Sequence, residues 1–158
     1  MSKITKVVAR QVFDSRGNPT VEAEIFVKNL SSSSICPSGA STGTYEAFEK
    51  RDKANKKYLG KSVFIPIKYI NSVISKKLKN QNIHNQERID HILIKLDGTK
   101  QKKKIGANAI LAVSMAAKKL SAKIKKIPLY KNFLVKSNYK LPYPCLLYTS
   151  DAADDTNR

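Results

Sequence analysis

Residues 20–27, TVEAEIFV, alternate without a break: Val21, Ala23, Ile25 and Val27 fall on one side, Glu22 and Glu24 on the other. A period of two describes a strand with one dry face and one wet face. Just before it, DSRGNP (residues 14–19) reads as a turn, because Asp14 can bond the backbone ahead, Gly17 permits positive φ and Pro19 stops a helix. Residues 3–13 are rich in β-branched side chains and read as the partner strand of a hairpin. SSSSIC (residues 31–36) reads as a third strand entering a glycine-rich loop. From residue 63 the period lengthens. Val63, Ile67, Ile70, Ile74 and Leu78 form an amphipathic stripe, with Pro66 acceptable only near its first turn. Asn85 can cap a second helix with the stripe Ile89, Ile92, Leu93 and Leu96, and Gly98 ends it. A third runs from about Ala107 to Lys126 on Ile110, Val113, Ala117, Leu120 and Ile124, and Pro128 opens a short last helix, PLYKNFL. Strands first and helices afterwards predict an α+β fold, an antiparallel three-stranded meander followed by about four helices packed on one sheet face.

The chain has 158 residues, enough for one domain, and its 41% hydrophobic and 27% charged content is that of a globular protein rather than a disordered one. The formal charge is +18, which raises the question of an anionic partner. Twenty-five of the 30 basic residues are Lys and five are Arg. Readers of phosphates and bases favour the planar fork of Arg. Lysine excess beside abundant Ile and Asn also fits drift toward A/T-rich codons spread over solvated faces. A basic RNA-binding module is the alternative reading, although the aromatics do not cluster with the lysines as a base-stacking platform requires. Cys36 and Cys145 make no disulfide framework and no CxxC occurs, so a reduced, cytoplasmic setting is expected. MSKITKVVAR lacks the apolar core of a signal peptide, and GANAILAVSMAA stops at Lys118 and Lys119, too short for a membrane span.

The character of the chain changes near its end. Up to Lys140 it is dense in Lys, Ile and Asn; CLLYTSDAADDTNR has neither lysine nor isoleucine, and three of the chain's 12 acids (Asp151, Asp154, Asp155) lie in the last eight residues. Residues 1–140 are therefore expected to form the domain and 141–144 to begin a linker. Residues 145–158 are expected to be non-native, since CLLYTSDAADD resembles a translated sequencing adapter; an acidic tail is the milder reading.

PSGASTGTYE (residues 37–46) is the stretch most suggestive of chemistry. It is no phosphate-cradling Walker loop, because no Gly-Lys-Ser/Thr follows at the required spacing. It is no nucleophile elbow, because Gly39 and Gly43 are separated by three residues, and Ser41 has no evident base. His84 and His91 lie on or beside a helix whose apolar stripe they do not share and read as surface residues, not as a metal pair. Glu46, Glu49, Arg51 and Asp52 are explained as well by local charge pairing as by catalysis. Two glycines flanking small hydroxyl residues fit a loop that closes on an anion or a metal, and equally a plain connection.

Taken in order, DSRGNPTVE, PSGASTGTYEAFEKRD, LDGT, GANAILAVSMA, PLY and LPYP make the chain resemble the N-terminal domain of the enolase (phosphopyruvate hydratase) family, over residues 1 to about 144. The resemblance implies a glycolytic Mg²⁺-dependent lyase that interconverts 2-phosphoglycerate and phosphoenolpyruvate plus water. In the family, two Mg²⁺ ions, a lysine base and a glutamate act in a C-terminal α/β barrel of roughly 250 residues, which is not expected here. The chain is thus expected to be an N-terminal fragment, inactive alone, with no catalytic residue of its own. Ser38, Gly39, Ala40, Ser41, Thr42, Gly43, Thr44 and Tyr45 match the family's substrate lid, and Ser41 matches the ligand of the second Mg²⁺. Arg10 and Glu22 match positions that pair across a homodimer interface. LPYP departs from the family's usual LPVP at Tyr143. The resemblance leaves open membership of an RNA-processing complex and, beside the cytoplasm, a cell-surface or secreted location.

Overall fold

A computed structural model describes residues 2–39, 43–54 and 57–133. Three strands, β1 (Lys6–Phe13), β2 (Pro19–Val27) and β3 (Leu30–Cys36), form an antiparallel meander in the order β1-β2-β3. The register sets Arg10 opposite Glu22, and Ala23 opposite both Ala9 and Ser34. The alternation of β2 is obeyed throughout: Val21, Ala23 and Ile25 are fully buried and Val27 nearly so. The expected strand at 3–13 begins only at Lys6. Ile4 donates its amide to Gln81 O (2.9 Å) and accepts from Asn80 N (2.9 Å), so the first residues pair with the chain beyond the first helix instead.

The helices are α1 (Phe64–Tyr69), α2 (Ser75–Leu78), α3 (Gln86–Asp97), α4 (Ala107–Lys125) and α5 (Leu129–Phe133). A wide π turn, Ile70–Ile74, joins α1 to α2, so the two form one interrupted helix carrying the expected stripe; Val63, Ile70, Ile74 and Leu78 are fully buried and Ile67 almost so. Nothing in the hydrophobic pattern announces the wide turn. It holds Asn71, whose side chain accepts from Ala9 N (2.7 Å) and donates to Ala9 O (3.0 Å), so an amide occupies the outer edge of β1. Asn85 caps α3 by accepting from Arg88 N (3.0 Å), and Gly98 ends it at φ 68°.

Helix α4 lies across β2 and β3 and buries Ala109, Ala112, Val113, Ala116, Ala117 and Leu120 completely. Its alanines let the helix backbone approach the sheet closely, as their spacing suggests. The architecture is the α+β meander-then-helices that the order of periods predicts. The linker at 141–144 and the tail at 145–158 lie outside the described residues. No helix among the described residues is long and apolar enough to cross a membrane.

The LDGT segment owes its acid to one loop. Asp97 is 2% exposed; Oδ1 accepts from Thr99 N (3.0 Å) and from the Thr99 hydroxyl, and Oδ2 accepts from Ile105 N (2.7 Å). Burial pushes its pKa up, but the bonds from Thr99, Ile105 and Gly106 outweigh that and hold it below the ordinary carboxylate value. A depressed folded-state pKa stabilises the fold above the unfolded carboxylate range, and that stability is lost as pH falls through the folded value. Asp97→Asn is therefore expected to lower the urea midpoint at neutral pH and to flatten its fall on acidification; an unchanged acid branch would refute the assignment.

Candidate functional site

The glycine-rich loop leaves the sheet at the end of β3 and returns through residues 46–52. Both arms are bound to the framework, and most of the sequence motifs serve to bind them. The DSRGNP turn closes on Asp14, whose Oδ1 accepts from Arg16 N (2.9 Å) and Asn18 N (2.8 Å), with Gly17 at φ 72°. Asp14 Oδ2 is buried without a partner. The bond from Asn18 leads the interactions that keep the Asp14 pKa below its ordinary value. From this turn Arg16 reaches across and donates Nη2 to Ser38 O (2.7 Å) and to Gly39 O (3.3 Å).

Ser38 is held by its side chain as well. Its hydroxyl lies 2.8 and 2.7 Å from the two Glu49 carboxylate oxygens and accepts from Arg51 Nη2. Arg51 is half-buried, pairs with Glu49 at 2.8 Å, and turns Nη1 to Pro19 O (3.2 Å) and Lys61 O. One guanidinium thus joins the start of β2, the loop's upstream arm and the segment before α1. Its neighbour Asp52 is 5% exposed and caps α1 from a distance, accepting from Phe64 N (2.7 Å) and Ile65 N (3.0 Å). Local charge pairing, the plain reading of Glu49 and Arg51, is what the structure contains, although it extends much further than the sequence indicates.

The returning arm is clamped to the first turn of α4. Asn108 Oδ1 accepts from Lys50 N (3.2 Å) and Asn108 Nδ2 donates to Lys50 O (2.9 Å). Phe48 O accepts from Ala107 N (2.8 Å). Gly106 sits at φ 103°, and a Cβ there would lie 2.4 Å from Lys50 Cβ, so both conformation and contact require glycine. This explains the GAN of GANAILAVSMA, a role that sequence reasoning missed because Lys50 and Asn108 are 58 residues apart.

Between the arms lies a cleft of ≈ 340 Å³ lined by Ser38, Gly39, Gly43, Glu46, Glu49 and Arg51, among others. Gly43 donates to Glu46 Oε2 (2.9 Å), and Tyr45 is 97% exposed. Thr44 and Tyr45 border a second cavity of ≈ 640 Å³ with Lys100 and Lys103. Ala40, Ser41 and Thr42 lie outside the described residues. Cys36, beside the upstream arm, has its thiol pushed up to about 11 by burial and by Glu49, which keeps it protonated. His84 is half-buried, contrary to its surface reading; its Nδ1 lies 2.9 Å from Ser121 Oγ on α4, and burial followed by Lys125 lowers its pKa. His91 is exposed.

Arg10 and Glu22 face each other directly. Arg10 Nε lies 2.5 Å from Glu22 Oε2 and Nη1 lies 3.1 Å from Glu24 Oε2, a fork on the sheet's wet face that raises the Arg10 pKa, chiefly through the bond to Glu22.

A meander backed by a packed helix, with a glycine-rich loop tied at both arms, defines an α+β domain that presents a loop beyond the end of β3. Residues 4–133 match the family described as "Enolase, N-terminal domain". The chain is 70% identical over 157 residues to an enolase of Pelagibacter ubique (strain HTCC1062), covering 99% of this chain and 38% of that protein. It is 49% identical over 145 residues to an enolase of Methanocaldococcus jannaschii, covering 91% of this chain and 34% of the other. Enolase B of Dictyostelium discoideum is 46% identical over 145 residues, 90% of this chain and 33% of that protein. The chain belongs to the enolase family, through its N-terminal domain. It spans little more than a third of the length of these curated relatives.

Arg51→Met removes donors from the Pro19 and Lys61 carbonyls and from Ser38 and Glu49. The expected cost is roughly 1–3 kcal/mol, read as a lower urea midpoint with an unchanged slope. A midpoint equal to wild type would show these bonds to be incidental.

Proposed function

We propose that this chain is the lid-bearing part of a glycolytic enolase, whose complete form interconverts 2-phosphoglycerate and phosphoenolpyruvate as a magnesium-dependent carbon–oxygen lyase. The observation that carries this reading is the family match over residues 4–133, which includes the glycine-rich loop and both of its bound arms. The loop of residues 38–45, with Ser38 bonded to the framework at its start, would close over substrate, and closure would exclude water from the reacting carbon. The chemistry itself would belong to residues beyond those present here. The setting would be the cytoplasm.

Magnesium would stabilise charge developing on the substrate when bound. Among the described residues no group of three or more His, Cys, Asp or Glu side chains stands where it could hold a metal ion. The carboxylates nearest the loop already have partners, Glu46 in Gly43 N and Glu49 in Ser38 and Arg51. The described residues therefore do not fit a magnesium site by themselves, and Ser41 would be this chain's contribution to one. In a homodimer, Arg10 and Glu22 would exchange each other for partners on the second subunit, and Arg10 is open enough to do so, with 52% of its side chain exposed. Around the end of β1, Phe13 and Tyr58 meet edge to face at 5.4 Å, and Leu59 (90% exposed) and Phe64 (48%) are also open. Such an apolar group fits a surface made for the rest of the protein.

The purified 158-residue chain is expected to produce no phosphoenolpyruvate from 2-phosphoglycerate; turnover would overturn the reading. Extending the chain with the remaining length of its Pelagibacter relative should create activity that a chelator abolishes. Ser41→Ala in that form should lower it by about 100-fold, the scale of misplacing one positioning contact.

A further inference from the structure

The segment between α3 and α4, residues 98–106, turns its acceptors inward and its cations outward. Thr99 O accepts from Lys102 Nζ (3.0 Å), Gln101 O from Phe48 N (2.7 Å), Lys102 O from Gly106 N (3.0 Å) and Lys103 O from Lys50 Nζ (3.2 Å). The acid just before it, Asp97, is 2% exposed and commits both carboxylate oxygens to Thr99 and Ile105. The next acid along the chain is Asp151. Lys102 takes the left-handed conformation at φ 59°, and Lys103 N donates to the Thr99 hydroxyl (2.8 Å), so the turn is held from within. What remains outside is the ammonium groups of Lys100 and Lys103, both exposed residues, which have no acceptor among the described residues.

These two lysines line the cavity of ≈ 640 Å³ together with Thr44, Tyr45, Thr99 and Gln101. We infer that this cavity is a binding site for a phosphorylated small molecule, its phosphate held by Lys100 and Lys103 and its organic part laid against Tyr45. The inference does not depend on closure of the glycine-rich loop. Ammonium groups bind phosphate as point charges, and such bonds are stronger than those between neutral groups. The volume is that of a small-molecule pocket and exceeds what a bare phosphate fills. Tyr45, 97% exposed, offers an open ring face for the rest of the ligand. Glu46, the acid nearest to Tyr45 in sequence, is bonded to Gly43 N (2.9 Å) and lines the neighbouring cleft instead. Drift toward lysine would place cations on any solvated face. Here two of them stand at one cavity, on a turn whose carbonyls are already taken, beside an exposed aromatic ring.

The test is an NMR titration of the ¹⁵N-labelled 158-residue chain at fixed ionic strength, with inorganic phosphate and phenyl phosphate as probes. Phenyl phosphate should give saturable shifts at the amides of Thr44, Tyr45 and Thr99–Lys103, with a midpoint about tenfold below that of inorganic phosphate, the scale of covering one ring. Lys100→Gln combined with Lys103→Gln should raise that midpoint by about tenfold or more, the scale of losing hydrogen bonds to a charged group. Lys103→Gln alone should raise it less, and it carries the same measurement should the double variant fail to fold. Tyr45→Ala should bring phenyl phosphate to the midpoint of inorganic phosphate. Lys76→Gln combined with Lys77→Gln removes the same charge from exposed positions on α2 and should change nothing. Shifts that do not saturate, or that spread over the lysine-rich surface, would overturn the inference. So would equal midpoints for the two probes in wild type. An equal loss from the α2 pair would overturn it as well, because attraction by the net charge of +18 gives that pattern without a site.

Discussion

The close seating of α4 on the dry face of β2 and β3 is the contact on which the rest of the molecule depends. Alanines at 109, 112, 116 and 117, all fully buried, keep the helix near the strands. That distance fixes where the helix begins, and its first turn supplies Asn108 and the backbone approach at Gly106 that hold residues 48–50. A bulkier residue on this face would lift the helix and displace the returning arm of the loop with it. Packing in the core and placement of the loop are therefore one constraint, transmitted through a rigid element instead of through side chains at the loop itself.

A second support reaches the same loop from the opposite direction. Arg51 lies where the arm re-enters the fold, and its bonds to Pro19, Lys61, Ser38 and Glu49 draw three separate segments to one guanidinium. Asp52, next in sequence, caps α1. The charged run EKRD is thus structural along most of its length. Its members look like unremarkable surface charges in the sequence because their acceptors are backbone carbonyls and amides, which no residue pattern records.

Much of the fold was legible because it obeys simple periods. The alternation in TVEAEIFV, the stripe from Val63 to Leu78, the Asn85 cap and the Gly98 stop all describe local backbone states, and the structure contains each. The π turn at Ile70–Ile74 was hidden because the stripe stays buried across it. The departure of Ile4 from the hairpin was hidden because its partners, Asn80 and Gln81, are remote. At the site, the glycines and hydroxyls of PSGASTG marked the loop, and the ordered motifs marked the family. The supports did not show, since side chain to backbone bonds between residues 22 and 58 positions apart leave no periodic trace. His84 reads as a surface residue for a similar reason: its partner Ser121 lies 37 positions away.

The amide of Asn71 at the outer edge of β1 has a consequence for how this domain can meet other proteins. An open strand edge recruits further strands by backbone pairing, which is largely indifferent to sequence. With Ala9 already answered by Asn71 on one edge, and Lys123 Nζ reaching Ser31 O (3.0 Å) on the other, strand-by-strand extension of this sheet meets side chains in its path. Contact through a face, where shape and charge discriminate between partners, meets no such obstruction at these two positions. At Ala9 and Ser31 the sheet's edges are in this sense insulated.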